Sequence, residues 1–144
     1  MTEELKIGVV GYCPPSRFDE DEALRMLREA YDILEEDYPG RDKAMVSGLT
    51  DAGVLALAYR EASERGWRTV GIAPSKSAGY GCFPVDEAII VGEEWGDEST
   101  AFIDAIDILV RVGGGAQSLK EAAEMRARGK RVIEYDLPRL PDEE

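Results

Sequence analysis

The sequence contains no histidine. That excludes histidine-based acid–base catalysis and most zinc sites, since imidazole titrates near neutrality and is the commonest nitrogen ligand of zinc. Cysteine is almost as scarce: Cys13 and Cys82 are the only two, too few for a disulfide framework, and a cytoplasmic location is the expectation. Cations are outnumbered, with 17 Lys and Arg against 30 Asp and Glu and a net charge of −13. A nucleic-acid partner is excluded on that ground, because binding a polyanion relies on clustered Lys and Arg. No apolar run approaches the roughly 20 residues of a membrane span, so no membrane partner is expected. The chain reaches a strand within a few residues of Met1, with no basic region and cleavage site of a secretory signal.

What is present is globular: 144 residues, 44% apolar and 33% charged, enough to bury one full core. We expect a single domain over 1–144, with a frayed tail from Pro138 to Glu144. Leu5–Gly11 is a nearly continuous apolar run, as in a central strand covered on both faces. Further strands are expected at Ala44–Ser47, Trp67–Ala73, Glu87–Val91, Ile108–Val112 and Lys130–Tyr135. Between them, Asp19 and Glu22 stand in capping-box spacing. Leu24, Leu27, Tyr31, Leu34 and Tyr38 follow as one helical stripe, which Pro39-Gly40 stops. A second helix runs from Asp51 or Ala52 to Arg65, closed by Gly66. It is apolar nearly all round through Val54, Leu55, Leu57, Ala58 and Tyr59. Such a helix is deeply buried or packs on another subunit, and we expect a homodimer or higher homo-oligomer. Helices from Glu98 to Ala105 and from the glycines at 113–115 to Arg128 complete the pattern. Strands alternating with amphipathic helices give an α/β fold: a Rossmann-like, doubly wound parallel sheet of about six strands with helices on both faces.

In such a sheet, ligands bind beyond the carboxyl ends of the strands, where strand order reverses. An order of 3-2-1-4-5-6 puts that crevice between the first and fourth strands. The loops from Gly11 to Arg17, Ser47 to Gly53, Pro74 to Pro84, Gly92 to Ser99 and Gly113 to Ser118 then share one edge, with nearly all the glycine-rich sequence. The strongest signal is Gly113-Gly114-Gly115 between a strand and a helix. Glycines allow positive φ and close approach of a ligand, while free amides and the helix dipole favour an anion. Candidate binding residues are these three with Gln117, Ser118, Gly11, Ser47, Gly48 and Thr50. Each hydroxyl among them either caps a helix or holds a phosphate. Lys76 and Arg17 are the loop cations available to an anion. Arg111, inside an apolar strand, needs a partner, either a carboxylate near the site or a subunit interface. Trp95 and Tyr80 either stack on a base or cover core. Glu93, Glu94, Asp97 and Glu98 suit a divalent cation or, as we expect, a solvated acidic loop with Asp97 as helix cap. Cys13 and Cys82 are reactive thiols or space-filling residues.

At Val112-Gly-Gly-Gly-Ala-Gln-Ser-Leu-Lys-Glu121 the sequence resembles the lysine-decarboxylase-like, or LOG-type, Rossmann superfamily. That group includes cytokinin-activating phosphoribohydrolases and molybdenum cofactor carrier proteins, with a GGGxGTxxE signature at a strand-to-helix turn. Gly114 and Gly115 match the glycine pair, Ser118 replaces the threonine, and Glu121 matches the glutamate. Ser47-Gly-Leu-Thr-Asp-Ala-Gly53 is similar to the family's second glycine-rich loop. Two departures count. Gln117 stands where glycine is usual, and Glu98 and Ser99 occupy the positions of the phosphoribohydrolases' arginine and lysine. The resemblance therefore implies a nucleotide- or phosphate-ligand-binding protein without the phosphoribohydrolase arginine. Its alternatives are an N-glycosidic-bond hydrolase with Glu121 as catalytic carboxylate, and a cofactor carrier. No cofactor or metal is required by the sequence; a nucleotide or other phosphate-containing small molecule is the expected ligand.

Overall fold

The computed structural model describes residues 4–79 and 81–141. In chain order these form β1 (Leu5–Gly11), α1 (Glu20–Asp37), β2 (Lys43–Ser47), α2 (Gly53–Glu64), β3 (Arg68–Ala73), a 3-10 turn at Ser75–Gly79, β4 (Glu87–Ile90), α3 (Ser99–Ala105), β5 (Ile108–Val112), α4 (Ala116–Ala127) and β6 (Arg131–Tyr135). All neighbouring strands run parallel, in the order β4-β3-β2-β1-β5-β6. The Rossmann-like α/β expectation holds, but the strand order needs correction. The fourth strand extends the first half of the sheet, so the reversal falls between β1 and β5. Burial explains the difference. Every residue of β5 is buried, which suits an interior position, whereas every residue of β4 is exposed, which only an edge tolerates.

Helices cover both faces. Ile7, Val9, Met45, Ile108 and Val110 pack beneath α1 and α2. Val10, Val46, Val70, Ile72 and Leu109 face the other layer, which holds Phe102 and Ile103 of α3 and Ala122 and Met125 of α4. The alternation along each strand thus divides one apolar run between two cores. Asp19 caps α1 by accepting the Glu22 amide at 3.1 Å, with Glu20, Asp21 and Glu22 in the first turn where the dipole favours negative charge. The buried stripe of α1 is rotated from the expected one: Ala23, Met26 and Ala30 join Leu27, Tyr31 and Leu34, while Leu24 is only half-buried. The small alanines let the helix sit close to the sheet. Gly66, at φ 78°, ends α2 as expected.

Two local expectations change. Glu98, not Asp97, holds the cap position of α3, and Asp97 instead accepts the amides of Glu93 and Glu94, both at 3.0 Å. Its carboxylate closes the preceding loop on itself. The tail is anchored through 138–141 rather than frayed: Leu137 is buried, the Leu140 amide donates to the Arg17 carbonyl at 2.8 Å, and Arg17 Nη1 donates to the Pro141 carbonyl at 2.7 Å. The remainder of that tail, 142–144, lies outside the described residues.

Candidate functional site

The reversal between β1 and β5 sets Gly11 beside Val112 and opens a cavity of about 820 Å³ over the carboxyl ends of the strands. Gly11, Ser47, Gly48, Thr50, Gly115, Gln117, Ser118 and Glu121 all line it. Most of the residues singled out in the sequence are therefore brought together, although they come from the ends of β1 and β2, the loops after β2 and β5, and α4.

The glycine turn divides by position. Gly113 and Gly114 have φ of 63° and 97°, the left-handed region that favours glycine. A Cβ at Gly113 would collide with the Tyr12 ring, and one at Gly114 with Ser118 Oγ. These two shape the turn without lining the cavity. Gly115 differs: its φ is −96°, a Cβ there would meet open space, and it lines the cavity. As cap residue of α4 it has no side chain to offer, so the amides of Ala116, Gln117 and Ser118 at the cavity wall have neither an intrahelical acceptor nor a side-chain cap.

Arg111 buttresses this turn from beneath. Its side chain is buried, and Nη1 donates to the Gly113 carbonyl at 2.9 Å. Nη2 reaches Asp136 at 2.7 Å and Glu134 at 3.3 Å, so the strand arginine finds its carboxylates on β6 and just beyond it. The sequence flagged it as needing a partner; its grip on the turn was not foreseen.

Glu121 is the chemically distinctive side chain. It is 7% exposed, and Ser99 Oγ donates to its Oε2 at 3.1 Å. Burial pushes its carboxyl up from 4.5 to about 7; the Ser99 hydrogen bond opposes this and the nearby Glu98 charge adds to it. Glu98 and Ser99, where the sequence departs from the phosphoribohydrolase pattern, thus do meet the glutamate in space. The charged side chains lining the cavity are Asp51, Glu98 and Glu121, and no Lys or Arg joins them among the described residues.

Other candidates are placed elsewhere or already engaged. Lys76 pairs with Glu94 at 3.2 Å, outside the cavity lining. Arg17 binds the tail. Ser47 is buried and its hydroxyl donates to the Val9 carbonyl at 2.7 Å, tying β2 to β1. Cys13 lines the cavity, where burial pushes its thiol up, away from reactivity; Cys82 is exposed on a neighbouring loop. Trp95 lines the cavity, and Tyr80 lies outside the described residues. Among the described residues no three His, Cys, Asp or Glu side chains group as a metal site, and no helix is long and apolar enough to cross a membrane. Leu55 and Phe102, missed as site residues, form part of the cavity wall. The all-round apolar pattern of α2 was the available signal for Leu55, since a helix at a ligand cavity needs a second apolar face.

The cavity lies where ligands bind in open, parallel α/β sheets, beyond the carboxyl ends of the strands where strand order reverses. The chain belongs to the SLOG cluster4 family, whose model matches residues 4–143, and it is a LOG-like Rossmann-type protein. Among solved structures it is similar to TM1055, at 25% identity over 89% of this chain and 72% of that one, with a TM-score of 0.67. The Moco carrier protein from Chlamydomonas reinhardtii shares the fold at 23% identity, covering 92% of this chain and 76% of that one, with a TM-score of 0.72. The molybdenum cofactor binding protein from the phototrophic bacterium Rippkaea orientalis does so at 24%, covering 93% and 77%, with a TM-score of 0.71. No curated protein matches the sequence significantly.

Proposed function

We propose that this protein binds a small phosphate-containing ligand, a nucleotide or a phosphorylated cofactor, and holds or carries it rather than acting as a phosphoribohydrolase. The observation that carries the reading is the uncapped amino end of α4, whose residues Gly115 to Ser118 line the cavity. Backbone amides at a helix start hold an anion without a formal cation, which matters where the lining side chains among the described residues supply none. The wall opposite comes from Ser47, Gly48 and Thr50. Carrier activity gains weight from the two structural neighbours named for the molybdenum cofactor. Calorimetry and thermal shift across nucleotides, sugar phosphates and phosphorylated pterins test it. Stabilisation by at least one phosphate compound, lost when Ser118→Asp puts a carboxylate at the turn, is expected; no response to any of them refutes it.

A second reading, cleavage of an N-glycosidic bond, is favoured by one observation: a cavity carboxyl raised to about 7 suits general acid–base work. Release of base from a nucleoside monophosphate, abolished by Glu121→Gln, would support it. Absence of turnover over a broad panel would leave binding alone. The homodimer belongs to the same proposal. Sedimentation at micromolar concentration should give a dimer, and a monomer would refute it.

A further inference from the structure

We propose that the ligand of this cavity carries a nitrogen heterocycle with a paired N–H donor edge, as guanine and pterins do, and that Glu121 accepts that edge. The inference rests on the reading that a phosphate sits at the 113–118 turn, and it adds what the other end of the ligand must look like. Glu121 is buried to 93% of its surface, yet it lines the cavity. Ser99 fills one of its oxygens; among the described residues the other has no hydrogen-bond partner. That second oxygen opens on the cavity and is not one of the buried atoms left without a partner, and since an ionised carboxylate can only accept, it is available to a donor on a ligand.

Geometry sets the spacing. Ser118 and Glu121, three apart on α4, share a helix face, and Glu121 stands about 8 Å along the axis from the helix start. That leaves room for one sugar-sized ring between an anion at the turn and a group at the carboxylate. The surrounding wall is apolar and aromatic, with Leu55, Ile72, Phe102 and Trp95, as a flat ring requires. Charge selects further. With Asp51 and Glu98 also at the wall and no Lys or Arg lining it among the described residues, a second anionic group on the ligand is disfavoured. Guanine and pterins present a ring N–H and an exocyclic amine side by side, matching the two lone-pair directions of a carboxylate. Adenine presents a ring nitrogen lone pair beside its amine, which opposes the carboxylate. Discrimination is strong when the wrong ring leaves a buried polar group unpaired.

The test is calorimetry on the full chain at pH 8 with inorganic phosphate, AMP, GMP and a pterin monophosphate. GMP or the pterin monophosphate is expected to bind at least about tenfold more tightly than AMP, and phosphate to compete with each. In Glu121→Gln, whose amide offers one donor and one acceptor, that preference should collapse to within about threefold. Glu121→Asp, which keeps the carboxylate, should retain its direction, and thermal melts of both variants establish folding. Equal binding of AMP and the donor-edge compounds, each displaced by phosphate, overturns this proposal and leaves the phosphate reading intact. A preference unchanged in a folded Glu121→Gln protein overturns the assignment to Glu121. Failure of all four probes to bind overturns the phosphate reading and this inference together.

Discussion

Replacing Glu121 by Gln should make the protein more stable at pH 8, with an advantage that shrinks as the pH falls. Burial raises the folded-state carboxyl from 4.5 to about 7. Below 4.5 the side chain is protonated in both folded and unfolded chains and contributes no pH dependence. Between 4.5 and about 7 the unfolded chain releases the proton while the folded one keeps it. Native protein then binds more protons than unfolded, and stability falls as pH rises. Above about 7 both forms are ionised and the whole penalty applies. A shift of this size corresponds to about 3 kcal/mol, and solvent in the cavity reduces it toward about 2 kcal/mol. The sign is opposite to that of an ion-paired surface carboxylate, whose stabilisation grows with pH. Glutamine removes the penalty and keeps an oxygen to accept from Ser99. Urea unfolding of both proteins from pH 5.5 to 8.5 is the assay, chosen to stay above the isoelectric point near 4.5. Part of the penalty is already present at pH 5.5, so the gap between variant and parent should widen by about 1 kcal/mol over that range, equivalent to roughly 2–5 °C in Tm. A gap independent of pH, or a variant less stable at pH 8, would refute the reasoning that burial and not pairing governs this carboxyl.

Gly114→Ala should destabilise the fold by about 1–3 kcal/mol, because it forces a side chain into a left-handed conformation and against Ser118. Gly115→Ala should leave the urea midpoint nearly unchanged yet weaken phosphate binding by several-fold, since its methyl points into open space at the cavity wall; equal destabilisation by the two variants would contradict the division of the turn. Arg111→Ala should cost about 2–3 kcal/mol in denaturant unfolding, at the lower edge for a broken buried ion pair because Asp136 is solvated. Lys76→Ala should change phosphate affinity less than about twofold by calorimetry, since Lys76 pairs with Glu94 away from the cavity. Phosphate affinity should also rise modestly from low salt to about 0.15 M, because a chain of net charge −13 repels anions at long range while helix-end amides attract only at contact; a steep loss of affinity with salt would point to a cation in the site.

The sheet and its helices were legible because their residues obey local rules: capping at Asp19, a stop at Gly66, apolar runs for interior strands. Strand order was less so. The weak strand Glu87–Ile90 carried the clue in its short, partly charged sequence, but burial is a property of position and no spacing rule says which edge a strand joins. The site was legible as a set of loops. Gly11, Ser47, Gly48, Thr50, Gly115, Gln117, Ser118 and Glu121 do converge, since the ends of parallel strands lie on one side by construction. What could not be read was the fate of each polar group. Ser47 spends its hydroxyl on a neighbouring strand and Lys76 its charge on Glu94, choices fixed by distances between segments far apart in sequence. Arg111 shows the converse, for its conspicuous place in an apolar strand announced a partner without revealing which.

The departures from the phosphoribohydrolase pattern and the state of Glu121 are one physical fact. An arginine beside a buried glutamate would hold it ionised by charge, well below the neutral range. Here Ser99 supplies a neutral hydrogen bond and Glu98 a like charge, so burial dominates and the carboxyl rises to about 7. On the phosphate reading proposed above, a cavity lined by no Lys or Arg among the described residues would meet an anionic ligand in two ways at once. Backbone amides at the start of α4 would take the charge, and Glu121, half protonated near neutrality, would offer little repulsion until a donor arrives to stabilise its ionised form. Recognition of a donor edge would therefore expel a proton. A glutamate poised in this way is better placed to report which ring has entered than to drive the departure of one.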